Sequence, residues 1–316
     1  MKKKISLLAA LCALIMLLTA SEQVISSCKA SLYLCRRLII PGLFPFFIIS
    51  GLLNGLGFPY LFAKLLGKLP QRLFHVSSAG FSAFLMGILG GYPLGAAAIS
   101  QMLDEGVIKK NEAERLLAFC NNSGPAFILG AIGAGVFNSP AAGLLLYGVH
   151  IISALITGFI LRGREEYSAP LMSFSPLPFT KAFTNAVSGA VISILNVCGF
   201  VLCFGVFTGL IENSSAFLGL CHIIAEKTSL DAPLIRAIFR GLIELGSGVG
   251  AMEALPFSRL NFAAAAFLLG FGGLSVHFQT LSLFADKETD SSLHFTGCCL
   301  KAIISLILAY FAAGLL

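Results

Sequence analysis

Hydrophobic positions in this chain neither alternate with polar ones, as in a half-buried strand, nor form the narrow stripe of a surface helix. They run on. Apolar stretches cover 38–56, 77–103, 116–137, 141–161, 183–211, 233–255, 262–284 and 295–316, with a modest amphipathic stretch at 22–37 before the first. Crossing a hydrocarbon core of about 30 Å takes roughly 20 helical residues, so most of these stretches have the length of a membrane span. Backbone groups in lipid must pair within their own segment, which makes the predicted spans helices. The dyad alternation of an outer-membrane barrel is absent. The polar segments are short, the longest being 162–181, so no sizeable soluble domain fits between spans. The expected fold class is an all-α polytopic membrane protein, placed as a multi-pass protein of the cell membrane.

Four of the apolar stretches carry internal breaks: Gly90-Gly91-Tyr92-Pro93-Leu94-Gly95, Asn121-Asn122-Ser123-Gly124-Pro125, Gly241-Leu242-Ile243-Glu244-Leu245-Gly246-Ser247-Gly248 and Gly270-Phe271-Gly272-Gly273-Leu274-Ser275. They fall in the same order in each half, offset by about 153 residues. The expected organisation is an N-terminal membrane segment at 1–28, a first repeat at 29–165 and a second at 181–316, with broken or re-entrant helices in both. If 77–103 is a re-entrant hairpin, each repeat crosses an odd number of times and the two are inverted. Lys2 to Lys4, Lys64, Lys68, Arg72, Lys109, Lys110, Arg162, Arg164 and Lys181 then share the cytoplasmic side, whereas Arg236, Arg240 and Arg259 break the rule. Matched, interrupted segments in two halves point to a transporter site near the bilayer midplane. Close helix packing through small residues is the competing explanation of the glycines. It explains the Asn-Asn-Ser-Gly-Pro run poorly, because two side-chain amides in lipid need partners.

Composition agrees with this picture. The 316 residues are 57% hydrophobic and 11% charged, with a mean hydropathy of +0.91. A soluble chain carries about 25% charged residues. The net charge of +6 is scattered, with no basic stripe of the kind that binds nucleic acid. The nine cysteines have no CxxC spacing and sit mostly inside apolar runs as small buried filler. The N-terminus, three lysines followed by an apolar stretch to Ala20, fits either a signal peptide or a retained first span. No P-loop, HExxH or GxSxG pattern is present, and the five histidines are too dispersed along the sequence to suggest a metal site. Neither an enzyme nor a cofactor is indicated. The expected partners are the lipid bilayer and a small-molecule anion, and a homo-oligomer stays open.

Asn121, Asn122, Ser123 and Gly124 are the leading site candidates. Ser and Asn are good N-caps and Pro suits the first helical position, so a helix restarting at Pro125 aims free N–H groups and a positive dipole end inward. That environment suits a carboxylate; a kinked helix whose amides bond neighbouring helices is the alternative. Gly272, Gly273 and Ser275 form the counterpart in the second half. His277 follows them, either as a ligand contact or as a hydrogen-bonded interior histidine. Glu244 is an ionisable residue in a Gly-flanked apolar segment, where charge is costly and usually has a purpose. Arg240 and Arg236 lie one and two turns before it, so a continuing helix puts all three on one face. Arg240 and Glu244 then either neutralise each other or serve an anion and a coupled proton. Tyr92 is a candidate for the cavity wall.

Ile40-Pro41-Gly42-Leu43-Phe44-Pro45-Phe46-Phe47-Ile48, Gly90 to Ala96, Glu112-Ala113-Glu114-Arg115-Leu116 and Asn121 to Pro125 together resemble the YlbJ-type sporulation integral membrane proteins, which carry nucleoside-recognition (Gate) domains. Gly241-Leu242-Ile243-Glu244 and Gly272-Gly273-Leu274-Ser275-Val276 extend the resemblance into the second half, so it covers residues 20–316. The resemblance implies an endospore-forming bacterium and transport of dipicolinic acid toward the forespore, with the outer forespore membrane as location. Gate-like domains outside sporulation make a nucleoside or other small metabolite the alternative cargo. A non-transporting scaffold subunit is the third reading.

Overall fold

The computed structural model describes residues 2–164, 176–228 and 230–316. Every regular element among them is helical. In the first half, α1 (Lys2–Thr19) and α2 (Ser21–Leu34) lead through a π-helical turn, Cys35–Ile39, into α3 (Ile40–Gly55). Then come α4 (Phe58–Leu66), α5 (Leu69–Phe74), α6 (Ser78–Gly90), α7 (Leu94–Asp104), α8 (Lys110–Cys120), a π-helical segment Ala126–Val136 and α9 (Pro140–Ile160). The second half holds α10 (Phe179–Glu212), α11 (Ser215–Thr228), α12 (Ala232–Ile243), α13 (Leu245–Ala251), α14 (Arg259–Phe271), α15 (Gly273–Ser282) and α16 (Ser292–Ala312). The order is the same in each half: a long helix, short connecting helices, a pair split by a break, a second split pair, and a 21-residue closing helix (α9, α16).

Local chemistry sets the boundaries. Pro41 has no N–H to give the carbonyl one turn back, and the turn before it widens so that the Ile40 N–H reaches the Cys35 carbonyl five residues away. The 22–37 stretch is therefore not a separate amphipathic piece but runs without interruption into the 38–56 span, as one apolar helix over Ser21–Gly55. Ser77, Ser139 and Ser258 cap α6, α9 and α14 through their hydroxyls, and Pro140 takes the first position of α9.

The first and third breaks fold their helices back on themselves. A β-carbon at Gly95 would lie 3.1 Å from the Cα of Gly87 across the first break, and one at Gly248 would lie 2.1 Å from Gly241 across the third. Positions that close are impossible along a straight helix rising 1.5 Å per residue. The 77–103 stretch is accordingly a helical hairpin, and so is its counterpart around Glu244.

Five helical runs are long and apolar enough to cross a bilayer among the described residues: Ser21–Gly55, Pro140–Ile160, Phe179–Glu212, Arg259–Ser282 and Ser292–Leu315. At 34 residues α10 is about 50 Å long and exceeds a hydrocarbon core of about 30 Å, so it tilts or projects beyond it. It packs along α2 and α3. The molecule is inverted relative to a soluble protein: Leu144, Ile192, Leu195, Ile303 and Phe311 face outward, while Asn122, Ser153, Thr157, Thr280 and Lys301 are buried. Such a surface belongs against lipid. The halves interlock, since α16 packs on α8 and α9 as well as on α14.

Candidate functional site

All four breaks meet in the interior. Gly91 and Gly124 touch backbone to backbone, and a β-carbon on either would stand 2.7 or 2.8 Å from the other's nitrogen. Gly91 also holds a left-handed φ of +80°, which glycine adopts without strain. Gly273, at φ +76°, packs against the third break, where a β-carbon would come within 2.7 Å of the Gly241 carbonyl oxygen and 3.1 Å of the Leu245 nitrogen. The Tyr92 hydroxyl links the first break to the fourth by donating to the Leu269 carbonyl at 3.2 Å. Asn121 links the second to the fourth through its amide, which donates to Thr280 Oγ1 at 2.6 Å. Other glycines serve close helix crossings, such as Gly51 on Ala186 and Gly297 on Ala118. Glycines thus permit close backbone approach both at the breaks and at helix crossings, each at different positions.

The meeting point encloses a cavity of about 60 Å³ lined by Tyr92, Ser123, Gly124, Glu244, Ser275 and Gln279, with apolar side chains such as Phe127 and Phe200 completing it. The Gln279 side-chain nitrogen is buried there without a hydrogen-bond partner, and the Ser123 hydroxyl lies beside that of Tyr92. Buried polar atoms are nearly always paired in folded proteins, so an orphan donor on a cavity marks a place for a polar guest. The space holds a few water molecules.

Glu244 does not continue α12. Its backbone is extended (φ −136°, ψ 110°), and its carboxylate caps α13, accepting from the Gly246 N–H at 2.9 Å and the Ser247 N–H at 2.6 Å. The expected shared face of Arg236, Arg240 and Glu244 is therefore lost at the break. Arg240 instead forms a bidentate pair with Glu212 at the end of α10. That pair lines a larger, polar cavity of about 460 Å³ together with Arg37, Glu253 and the serines of α2. Gly246 lines the first cavity and Ser247 the second, so the two lie on either side of the α13 start.

Asn121 and Asn122 lie behind the cavity wall. Lys301 of α16, fully buried, donates to the Asn121 carbonyl at 2.9 Å and to Asn122 Oδ1 at 3.0 Å. Asn122 gives its own amide hydrogen to the Phe119 carbonyl at the end of α8. His150 of α9 accepts the Ser123 N–H at 3.1 Å. The second break is thus held extended by side chains from both halves, and its amides do bond neighbouring helices, as the kinked-helix alternative requires. Its serine and glycine nevertheless face the cavity. Lys301 and His150 were missed by sequence reasoning. The signal for Lys301 was present, since it is the ionisable residue inside an otherwise apolar closing span.

His277 points away from the cavity, toward α16. Its Nδ1 lies 3.1 Å from Nε2 of His294, and Cys298 Sγ lies 3.9 and 4.0 Å from the two His294 ring nitrogens. The histidines that look dispersed in the sequence are brought together here by folding; 17 residues separate His277 from His294.

No family model matches the sequence, and no solved structure matches it. A curated protein of Bacillus subtilis (strain 168), the sporulation integral membrane protein YlbJ, is 30% identical over 311 aligned residues that take in 88% of this chain and 75% of the relative. With that identity over 88% of its length, the chain belongs to the family of the sporulation integral membrane protein YlbJ.

Proposed function

We propose that the protein is a membrane transporter for a small organic anion, with dipicolinic acid as its cargo during spore formation. The convergence of four chain breaks on one buried cavity, with the Ser123 hydroxyl and the unpartnered Gln279 donor on its wall, carries this reading. Irregular backbone at membrane depth is tolerated where it lines a cavity, and transporters build their sites this way. Ser123 and Gly124 open the restarted segment at Ala126, whose free N–H groups and dipole favour negative charge. Glu244 shows how a carboxylate sits at such an end in this fold, held by two backbone N–H groups. The repeated element order suits two inverted repeats that part around a central site.

A neutral nucleoside is the second reading. The Glu244 carboxylate on the cavity wall favours it, because a like charge opposes a dianion. Uptake of labelled dipicolinate and of a nucleoside into proteoliposomes of the purified chain separates the two. Dipicolinate uptake without nucleoside uptake is the expected result. Spores of a deletion strain should contain less dipicolinate, and an unchanged content would remove the role in spore formation.

A further inference from the structure

The geometry points to a soft-metal site, independent of the transport cavity, in which His277, His294 and Cys298 hold one monovalent copper ion between α15 and α16. All three are buried, and their ligand atoms lie within 4.8 Å of one another. The Leu117 carbonyl, which can only accept, lies 3.1 Å from Nδ1 of His294, so Nδ1 carries the hydrogen and Nε2 presents a free lone pair. This carbonyl contact is the outer-shell partner that metal-bound histidines usually have. Metal–nitrogen bonds of about 2.0–2.1 Å and a metal–sulfur bond of about 2.3 Å put the nitrogens about 3.3–3.6 Å apart and each nitrogen about 3.5–3.8 Å from the sulfur. The observed 3.1 Å between His277 Nδ1 and His294 Nε2, and 4.0 Å from that Nε2 to Cys298 Sγ, lie within about half an ångström of this geometry; Sγ stands equally near Nδ1 of His294, at 3.9 Å, and turns toward Nε2 when the ion binds.

Charge selects the ion. Thiolate and imidazole are ligands for soft and borderline metals. Two neutral imidazoles, one thiolate and a monovalent ion sum to zero, whereas a divalent ion leaves a net positive charge deep among membrane helices. Lys301, one turn from Cys298 on the same helix, is already a buried ionisable group there, and an uncompensated charge at this depth is costly. The ion would tie α15, which starts at the Gly272–Gly273 break, to the helix that carries Lys301.

The test uses the full chain in detergent, stripped of metal and titrated with copper(I) under ascorbate against a chromophoric chelator, and separately with Zn²⁺. One copper per chain is expected, with about two nitrogen and one sulfur neighbours by X-ray absorption. Cys298→Ser and His294→Gln should each lose at least tenfold in affinity, while Cys299→Ser at the neighbouring exposed position should bind as the parent does. Variants are compared only if they elute as the parent does on size exclusion, and the parent's own titration decides even if none folds. No copper bound by the parent, or Cys298→Ser binding unchanged, overturns the site. Zn²⁺ bound more tightly than copper(I) overturns the choice of a monovalent ion.

Discussion

At the scale of single residues, the interior is organised by polar groups that a soluble protein would leave in water. Glu244 closes the start of α13 with two charge-assisted bonds to backbone N–H groups. Glu244→Gln keeps one acceptor oxygen and loses the charge, which should cost about 1–2 kcal/mol of stability. Membrane expression should be nearly unchanged while transport falls at least tenfold; normal transport would reduce Glu244 to a helix cap. Lys301 is a different case. Truncation to alanine removes the cost of burying an ammonium, but it also orphans the Asn121 carbonyl and Asn122 Oδ1 and leaves a void. A net loss of about 2–4 kcal/mol is expected, read as a lower thermal midpoint in detergent. A midpoint equal to the parent's would mean that water replaces the lysine at no cost.

Among elements, the glycines separate into those at breaks and those on open helix faces. Gly273→Val puts a branched side chain at φ +76° against the backbone of Gly241 and Leu245. About 3 kcal/mol or more of destabilisation follows, with loss of transport. Gly148 in α9 has open space where a β-carbon would go, so Gly148→Ala should leave both thermal midpoint and uptake as in the parent. Equal tolerance at both positions would contradict the assignment of a strained break at Gly273. Much of this layer was legible in the sequence, because Gly, Pro, Ser and Asn punctuate apolar runs through their backbone and capping chemistry, and the order of punctuation repeats. What could not be read was pairing across the fold. Arg240 and Glu244 look like helical neighbours until the helix ends between them, and Arg240 finds Glu212 instead, 28 positions away. Asn121 meets Thr280 across the two halves, and His277 meets His294 and Cys298 within the second half, through contacts that only the tertiary fold creates. An apolar run with one polar residue shows that a partner is needed but not which one.

At the scale of the whole molecule, two halves of matching element order enclose a small cavity at their shared breaks, and a larger polar cavity lies across the start of α13. The smaller cavity, of about 60 Å³, is where residues from both halves converge. Gln279→Leu removes an unpartnered donor from the wall without adding bulk, and it tests the site apart from folding. The most direct measurement is the initial rate of labelled dipicolinate uptake by proteoliposomes of the parent and of Gln279→Leu, with a nucleoside and a monocarboxylate as competitors. Saturable dipicolinate uptake, insensitive to the nucleoside and reduced at least fivefold in Gln279→Leu, is the predicted result. Nucleoside uptake with no dipicolinate uptake, or dipicolinate uptake identical in the two proteins, would contradict an anion site at the converging breaks.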